Sequence, residues 1–270
     1  MHTTILVIKF KELIKRFKFS LVFIFIGFSL WVSVPKEVVY SGNIFGTYYR
    51  IKMYVPKWHF NQFIKQDILK VFEDYNATFS TYSSSSLISQ FNRLNVGNEI
   101  EVSDTFINIA QFGFALYEQS GGVWDASIEP LYALWRFDSV QPVIPHYKDI
   151  HSVLKYVGYE KLLILDNKIA KSQPGFSLDF SSLAKGDCVD KIGQLLLQKG
   201  IKDFFIDLGG EILVHGNKPN GKSWKVGIAN PLNDKEYFNI LSLTKGALAT
   251  SGDYQHFFVG LCGNHTRTYS

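Results

Sequence analysis

From residue 58 to residue 76 the apolar side chains Phe60, Ile64, Ile68, Phe72 and Tyr75 return every three or four positions, with charges between them. That period predicts an amphipathic helix. Ahead of it, V-V-Y-S-G-N-I-F-G-T-Y-Y-R-I-K-M-Y-V (38–55) crowds β-branched and aromatic residues around two glycines, the pattern of paired or bulged strands. A second helix is expected in D-T-F-I-N-I-A-Q-F-G-F-A-L-Y-E-Q-S, with Ser103 and Asp104 as caps and Gly121-Gly122 as its stop. Beyond Gly158 the period shortens. K-L-L-I-L-D, D-N-K-I-A-K and F-S-L-D-F read as short strands, the last leading into a helix that carries Ala184, Cys188, Ile192 and Leu195 on one face and stops at Lys199-Gly200. D-F-F-I-D-L-G-G-E-I-L-V-H-G reads as a hairpin whose central glycines allow positive φ, and strand-like segments continue through S-W-K-V-G-I-A-N-P, F-N-I-L-S-L and G-A-L-A-T-S-G-D-Y-Q-H-F-F-V. No repeat, low-complexity tract or linker interrupts this order, so a single α+β domain is expected.

Composition changes that picture at one end only. At 270 residues and 46% hydrophobic content the chain can bury a sizeable core. Its formal charge of +4 is concentrated: residues 1–35 hold Lys9, Lys11, Lys15, Arg16 and Lys18 against Glu12. Taking those five bases and one acid from the totals of 28 and 24 leaves 23 of each, so the body is neutral and no electrostatic case for nucleic acid exists. Behind the basic stretch, Phe19 to Pro35 runs 17 residues without a charge. Such a run reads as an export signal or a membrane anchor, and the positive-inside rule sends the neutral body across the membrane. Residues 1–36 are therefore read as a signal peptide or N-terminal anchor, and 37–270 as the functional domain. The two cysteines, Cys188 and Cys262, define no disulfide framework, and no metal-binding spacing is present.

Four segments place small, hydroxyl or acidic residues where an amphipathic pattern would not. They are F-S-T-Y-S-S-S-S-L-I-S-Q-F-N-R (79–93), G-G-V-W-D-A-S-I-E-P-L-Y-A-L-W (121–135), D-F-S-S-L-A-K-G-D-C-V-D (179–190) and A-L-A-T-S-G-D-Y-Q (247–255). Each has a plain structural use: serines and Asp125 as helix caps, Trp124 as core, Lys185 as a solvated cation, and Thr250 to Asp253 as a turn. Each also suits a polar ligand. In the third, an acid ends a strand and a lysine sits in the first helical turn, where an anion would offset a cation misplaced on the dipole.

The order of these blocks, with G-T-Y-Y-R-I before them and D-L-G-G-E-I among them, resembles the FAD:protein FMN transferases, the ApbE family. The resemblance implies a compact α+β, T-fold-like domain of antiparallel sheet and helices. It also implies an exported, magnesium-dependent transferase that uses FAD as a substrate, moves its FMN half to a threonine or serine hydroxyl of a flavin-accepting redox protein, and releases AMP. The place is the outer side of the inner membrane, reached by anchor or signal peptide. Carried over residue by residue, Phe45, Tyr82, Val123, Trp124, Asp125, Asp179 and Lys185 fall on FAD positions, and Ser182 on the residue whose backbone oxygen binds magnesium. In-line attack at phosphorus needs the pyrophosphate held and its charge neutralised, which suits a metal, a helix start and a lysine. Glu129 stands where the family commonly has glycine, and Ser181-Ser182 replace a frequent glycine pair. Past R-T-Y-S the family pattern goes on to a histidine and further metal ligands, so the resemblance implies a chain lacking that C-terminal part. It leaves a second reading open, an FAD-binding protein without transferase activity.

Overall fold

The computed structural model describes residues 35–56, 61–136, 144–231, 233–250, 257–259 and 265–267. The strands expected at 38–55 are β1 (Lys36–Ile44) and β2 (Thr47–Val55), an antiparallel hairpin closed by Phe45 and Gly46, both at positive φ, 53° and 72°. Tandem left-handed residues match the twist of a hairpin, although phenylalanine is an uncommon occupant of that conformation. A second hairpin, β6 (Phe204–Leu208) and β7 (Glu211–His215), turns at Gly209 and Gly210, as its sequence predicts. With β10 (Lys245–Leu248) these strands form one sheet in the order β1-β2-β6-β7-β10, antiparallel throughout. Alternation puts Tyr49, Ile51, Met53 and Val55 of β2 beside Phe204, Ile206 and Leu208 of β6 on one buried face.

Helices cover that face. α1 (Asn61–Phe79) is the helix expected at 58–76, displaced by three residues, and it buries Ile64, Ile68, Phe72 and Tyr75; Phe60 lies outside the described residues. α2 (Leu87–Asn92) is capped by Ser86, whose hydroxyl accepts the Ser89 N–H at 3.2 Å. α3 (Asp104–Gln119) is capped by Ser103, which accepts the Phe106 N–H at 3.3 Å. α4 (Glu129–Trp135) and α5 (Tyr147–Leu154) follow, and α6 (Ser181–Gln198) packs on α1 and on β6 and β7. Ala184, Cys188, Ile192 and Leu196 form the buried face of α6, and Lys199 at its C-cap pairs with Asp67 of α1. Burial pushes the Cys188 thiol up, so it packs as an inert small apolar group; Cys262 lies outside the described residues.

A small sheet in the order β3-β5-β4 joins β3 (Ile100–Glu101), β5 (Lys168–Lys171) and β4 (Leu162–Leu165). The third expected strand of that region, F-S-L-D-F, is not one. Residues 176–180 have no ladder partner, because side chains and a distant carbonyl take their backbone groups. On the far face of the main sheet lies the hairpin of β8 (Trp224–Asn230) and β9 (Asn233–Leu243). It contributes Trp224 and Val226 to a second small core with Val214, Tyr54 and Phe205. β11 (Phe257–Val259) and β12 (His265–Arg267) pair with each other. Among the described residues no helix is long and apolar enough to cross a membrane; the apolar run from Phe19 lies outside them up to Val34.

Candidate functional site

Three of the four unusual segments meet at the start of α6, around a residue between two of the expected ligands. Phe180 is fully buried, and the rings of Phe79, Phe106 and Tyr159 meet it edge-on at 6.1, 5.5 and 6.3 Å. Burying such a ring stabilises by roughly 1.5–3 kcal/mol, and here it also fixes where α6 begins. Asp179, 7% exposed, accepts the Ser181 N–H on Oδ1 at 2.7 Å, while its own N–H donates to the Ala126 carbonyl at 2.8 Å. That second bond ties the α6 start to the G-G-V-W-D block. Asp125 in turn accepts from the N–H and the hydroxyl of Ser127, each at 2.7 Å, and the same hydroxyl oxygen accepts the Gly158 N–H.

The segment that leads into Asp179 is held by side chains. Asn92, the last residue of α2, donates to the Leu178 carbonyl at 2.9 Å and accepts the Leu178 N–H at 2.8 Å, so its amide stands in for a neighbouring strand. Lys171, 3% exposed, donates to the carbonyls of Asn92 at 3.0 Å and Phe176 at 2.9 Å, with its ammonium 5.3 Å from the Phe91 ring centroid. Burial pushes the Lys171 pKa down, and the charge of Glu129 opposes that shift. Ser177 donates its hydroxyl to Glu129. The residue that departs from the family's glycine therefore has a local function here.

Across α6 the site is closed by the glycine turn of the main sheet. Gly209 donates to the Tyr48 carbonyl at 2.9 Å, and a Cβ at Gly209 would lie 2.6 Å from Thr47 Cγ2, so this turn and the Phe45-Gly46 turn sit side by side. Thr250 donates to the Gly210 carbonyl at 3.4 Å, and Asp207 accepts from the Gly210 N–H at 3.2 Å and the Tyr48 hydroxyl at 3.3 Å. Burial pushes the Glu211 carboxyl up while the charge of Lys185 opposes it, which places that lysine in the electrostatic reach of the turn. Lys185 is the fifth residue of α6, one turn further in than the sequence pattern suggests. The positive end of an 18-residue helix and this lysine together favour an anionic group.

Asp125 and Asp179 are joined through Ala126 and Ser127, whereas Lys185 reaches the site only through its charge on Glu211. Phe45 is half-buried, its ring edge-on to Phe72 at 6.0 Å, and its left-handed backbone is the kind of local strain that accompanies function. Tyr82 and Val123 are 78% and 89% exposed, free to offer surface to a planar ligand. Trp124 packs its ring on Tyr159 at 6.0 Å and against Gly113, and its backbone N–H donates to the Ser120 hydroxyl at 3.0 Å. Ser182 is exposed at the second position of α6. Ser251 and Asp253 lie outside the described residues. Among the described residues no three His, Cys, Asp or Glu side chains converge to hold a metal.

Sequence reasoning missed Phe180, Asn92, Lys171 and Glu129. Phe180 and Asn92 lay inside the quoted blocks without a role, whereas nothing in K-I-A-K marks its last lysine as buried. The ApbE family model matches residues 45–270. A Vibrio cholerae FAD:protein FMN transferase is 30% identical over 229 residues, 83% of this chain and 69% of that protein. Its Haemophilus influenzae counterpart is 28% identical over 235 residues, 83% and 68%. The solved structure of the flavin transferase ApbE from Vibrio cholerae superposes with a TM-score of 0.75 at 29% identity, covering 82% of this chain and 72% of that one. The apo flavinyl transferase ApbE of Pseudomonas stutzeri does so with 0.75 at 26%, covering 82% and 71%. The matched stretch takes in every block of the site from the Phe45 turn to Thr250, and the chain belongs to the ApbE family.

Proposed function

We propose that the chain transfers the FMN half of FAD to a threonine or serine hydroxyl of an exported redox protein. The hydroxyl oxygen bonds to the flavin-side phosphorus as the bond to the bridging oxygen breaks; AMP leaves with that oxygen and the hydroxyl proton is released. The observation that carries this reading is the start of α6, where Asp179 accepts the Ser181 N–H and Lys185 lies in electrostatic reach of Glu211, next to the Gly209-Gly210 turn, at a helix end suited to a pyrophosphate. The relatives from Vibrio cholerae and Haemophilus influenzae are FAD:protein FMN transferases, which supports the same substrate.

Magnesium enters the proposal through the Ser182 carbonyl oxygen. One backbone oxygen is not a magnesium cage, and the described residues add no cluster of metal-ligating side chains. The uncharged run behind a basic flank supports an extracytoplasmic address, by anchor or by cleaved signal.

The test supplies FAD, magnesium and a threonine-bearing flavin-acceptor protein, and follows AMP by chromatography and flavin fluorescence of the denatured acceptor. Equal amounts of AMP and covalently fluorescent acceptor are expected. Stoichiometric FAD retention with neither product would replace the transferase with a flavin-binding protein.

A further inference from the structure

On the sheet face turned away from α1 and α6, a cleft of about 250 Å³ is lined by Tyr54, Phe205 and Trp224 together with Lys52, Lys218, Lys225 and Glu37. Trp224 is 3% exposed; the Tyr54 and Phe205 rings lie 5.7 and 5.9 Å from it, and the Lys218 ammonium is 5.6 Å from its centroid. Its indole N–H is buried with no hydrogen-bond partner among the described residues. None of the three lysines is within ion-pair distance of a carboxylate among the described residues, and the only acid of the lining is Glu37. Three cations against one anion stand out on a body whose bases and acids otherwise balance.

Where the cleft lies suggests what it meets. Glu37 is the second residue of β1, paired in register with Tyr54, and β1 begins at Lys36, directly after the last residue of the uncharged run, Pro35. At an extended rise of about 3.3 Å per residue, Glu37 lies roughly 7 Å from the end of that run. This is inside the Debye length of about 8 Å at physiological salt. We infer that the Lys52–Lys218–Lys225 cleft receives the phosphate of an anionic phospholipid headgroup, so that the body rests on the membrane with this face down and the α6 site on the other side of the sheet. The cleft's net positive charge selects an anionic lipid over a zwitterionic one, which carries no net charge to attract it. The inference rests on the anchored reading above.

The test uses the full chain, reconstituted into phosphatidylcholine vesicles and into equimolar phosphatidylcholine–phosphatidylglycerol vesicles. Flotation is followed by lysine acetylation read by mass spectrometry. In the anionic vesicles Lys52, Lys218 and Lys225 should label several-fold more slowly, roughly five-fold if each feels the usual attraction of a lysine to an anionic surface. One-molar salt should remove the protection. Lys70, 73% exposed on α1, is the internal control and should label equally in both. Floating protein with equal cleft labelling in the two lipids overturns the headgroup site and leaves anchoring intact. Protein that floats with neither overturns the anchored reading and this inference with it. Protection by inorganic phosphate alone, in detergent without lipid, would reassign the cleft to a soluble phosphate and overturn the lipid source.

Discussion

Lys171 holds its charge 3% exposed against two backbone carbonyls, an arrangement that costs desolvation and is kept because it ties Phe176 to Asn92. Burial lowers its folded pKa below the ordinary 10.5, so between those values the unfolded chain binds more protons and stability rises with pH. Below the lowered value both states are charged and the penalty is fully felt. The unfolding free energy of the parent relative to Lys171→Met should accordingly shift in the parent's favour as pH climbs from neutral toward 10.5, measured by denaturant titration of both. A flat difference would mean that the ammonium is not desolvated. Asp179 and Lys185 test the binding side of the same site. Asp179→Ala and Lys185→Ala should each weaken FAD binding about ten-fold or more, the roughly 1.5–3 kcal/mol of a charge-assisted contact, with the fold retained in fluorescence titrations. Asp179 was legible as the acid that ends the segment before α6, and its bond from the Ser181 N–H places it at the helix entry, one residue ahead of the N-cap Phe180; Lys171 was not legible, because strand alternation does not reveal that a lysine points inward.

At the scale of elements, the sequence pattern distinguished helix from strand well where an element's own residues decide the matter. The caps at Ser86, Ser103 and Asp125, the two hairpins and the buried stripe of α1 were all readable for that reason. F-S-L-D-F was not, since a strand and a side-chain-clamped extended segment present the same alternation and differ only in what lies opposite. Here the partner is one amide, 86 residues away in the chain. Asn92→Ala should therefore orphan a buried donor and a buried acceptor at about 1–3 kcal/mol each, and let the approach to Asp179 slacken. FAD affinity should fall further than the lost stability alone would require. Asn92→Asp separates the two halves of the clamp. A protonated carboxyl can still donate to the Leu178 carbonyl while accepting its N–H, whereas a carboxylate repels that carbonyl, so burial opposite it should raise the folded pKa above the ordinary value of about 3.9. A raised folded pKa gives stability that is present at low pH and lost as pH rises through it, so the variant should melt closer to the parent in acid than at neutrality. Thermal melts of both proteins across that range check this, and a deficit independent of pH would show that the amide does not clamp the segment.

The main sheet has two differently covered faces. Helices and the α6 site lie on one face, the β8–β9 hairpin and the lysine cleft on the other, and the strand that follows the apolar run enters at the cleft. The charge distribution supports that polarity. Five bases against one acid precede or flank the uncharged run, whereas the remainder carries 23 of each, and an insertion machinery that retains cationic flanks in the cytoplasm has no such reason to retain the neutral body. At the proposed extracytoplasmic address the transferase would meet acceptors that have already been exported, and it would depend on FAD reaching that side. Alkaline phosphatase activity from a fusion placed after Ser270 should therefore be high, because that reporter folds only after export, whereas a cytoplasm-dependent fluorescent fusion at the same point should stay dark. Replacing Lys9, Lys11, Lys15, Arg16 and Lys18 with glutamine should narrow or reverse that contrast, since the bias that orients the run would be gone. A bright cytoplasmic fusion with no phosphatase activity in the unaltered chain would reject the extracytoplasmic address, and would require the flavin acceptor to be sought among proteins that never leave the cytoplasm.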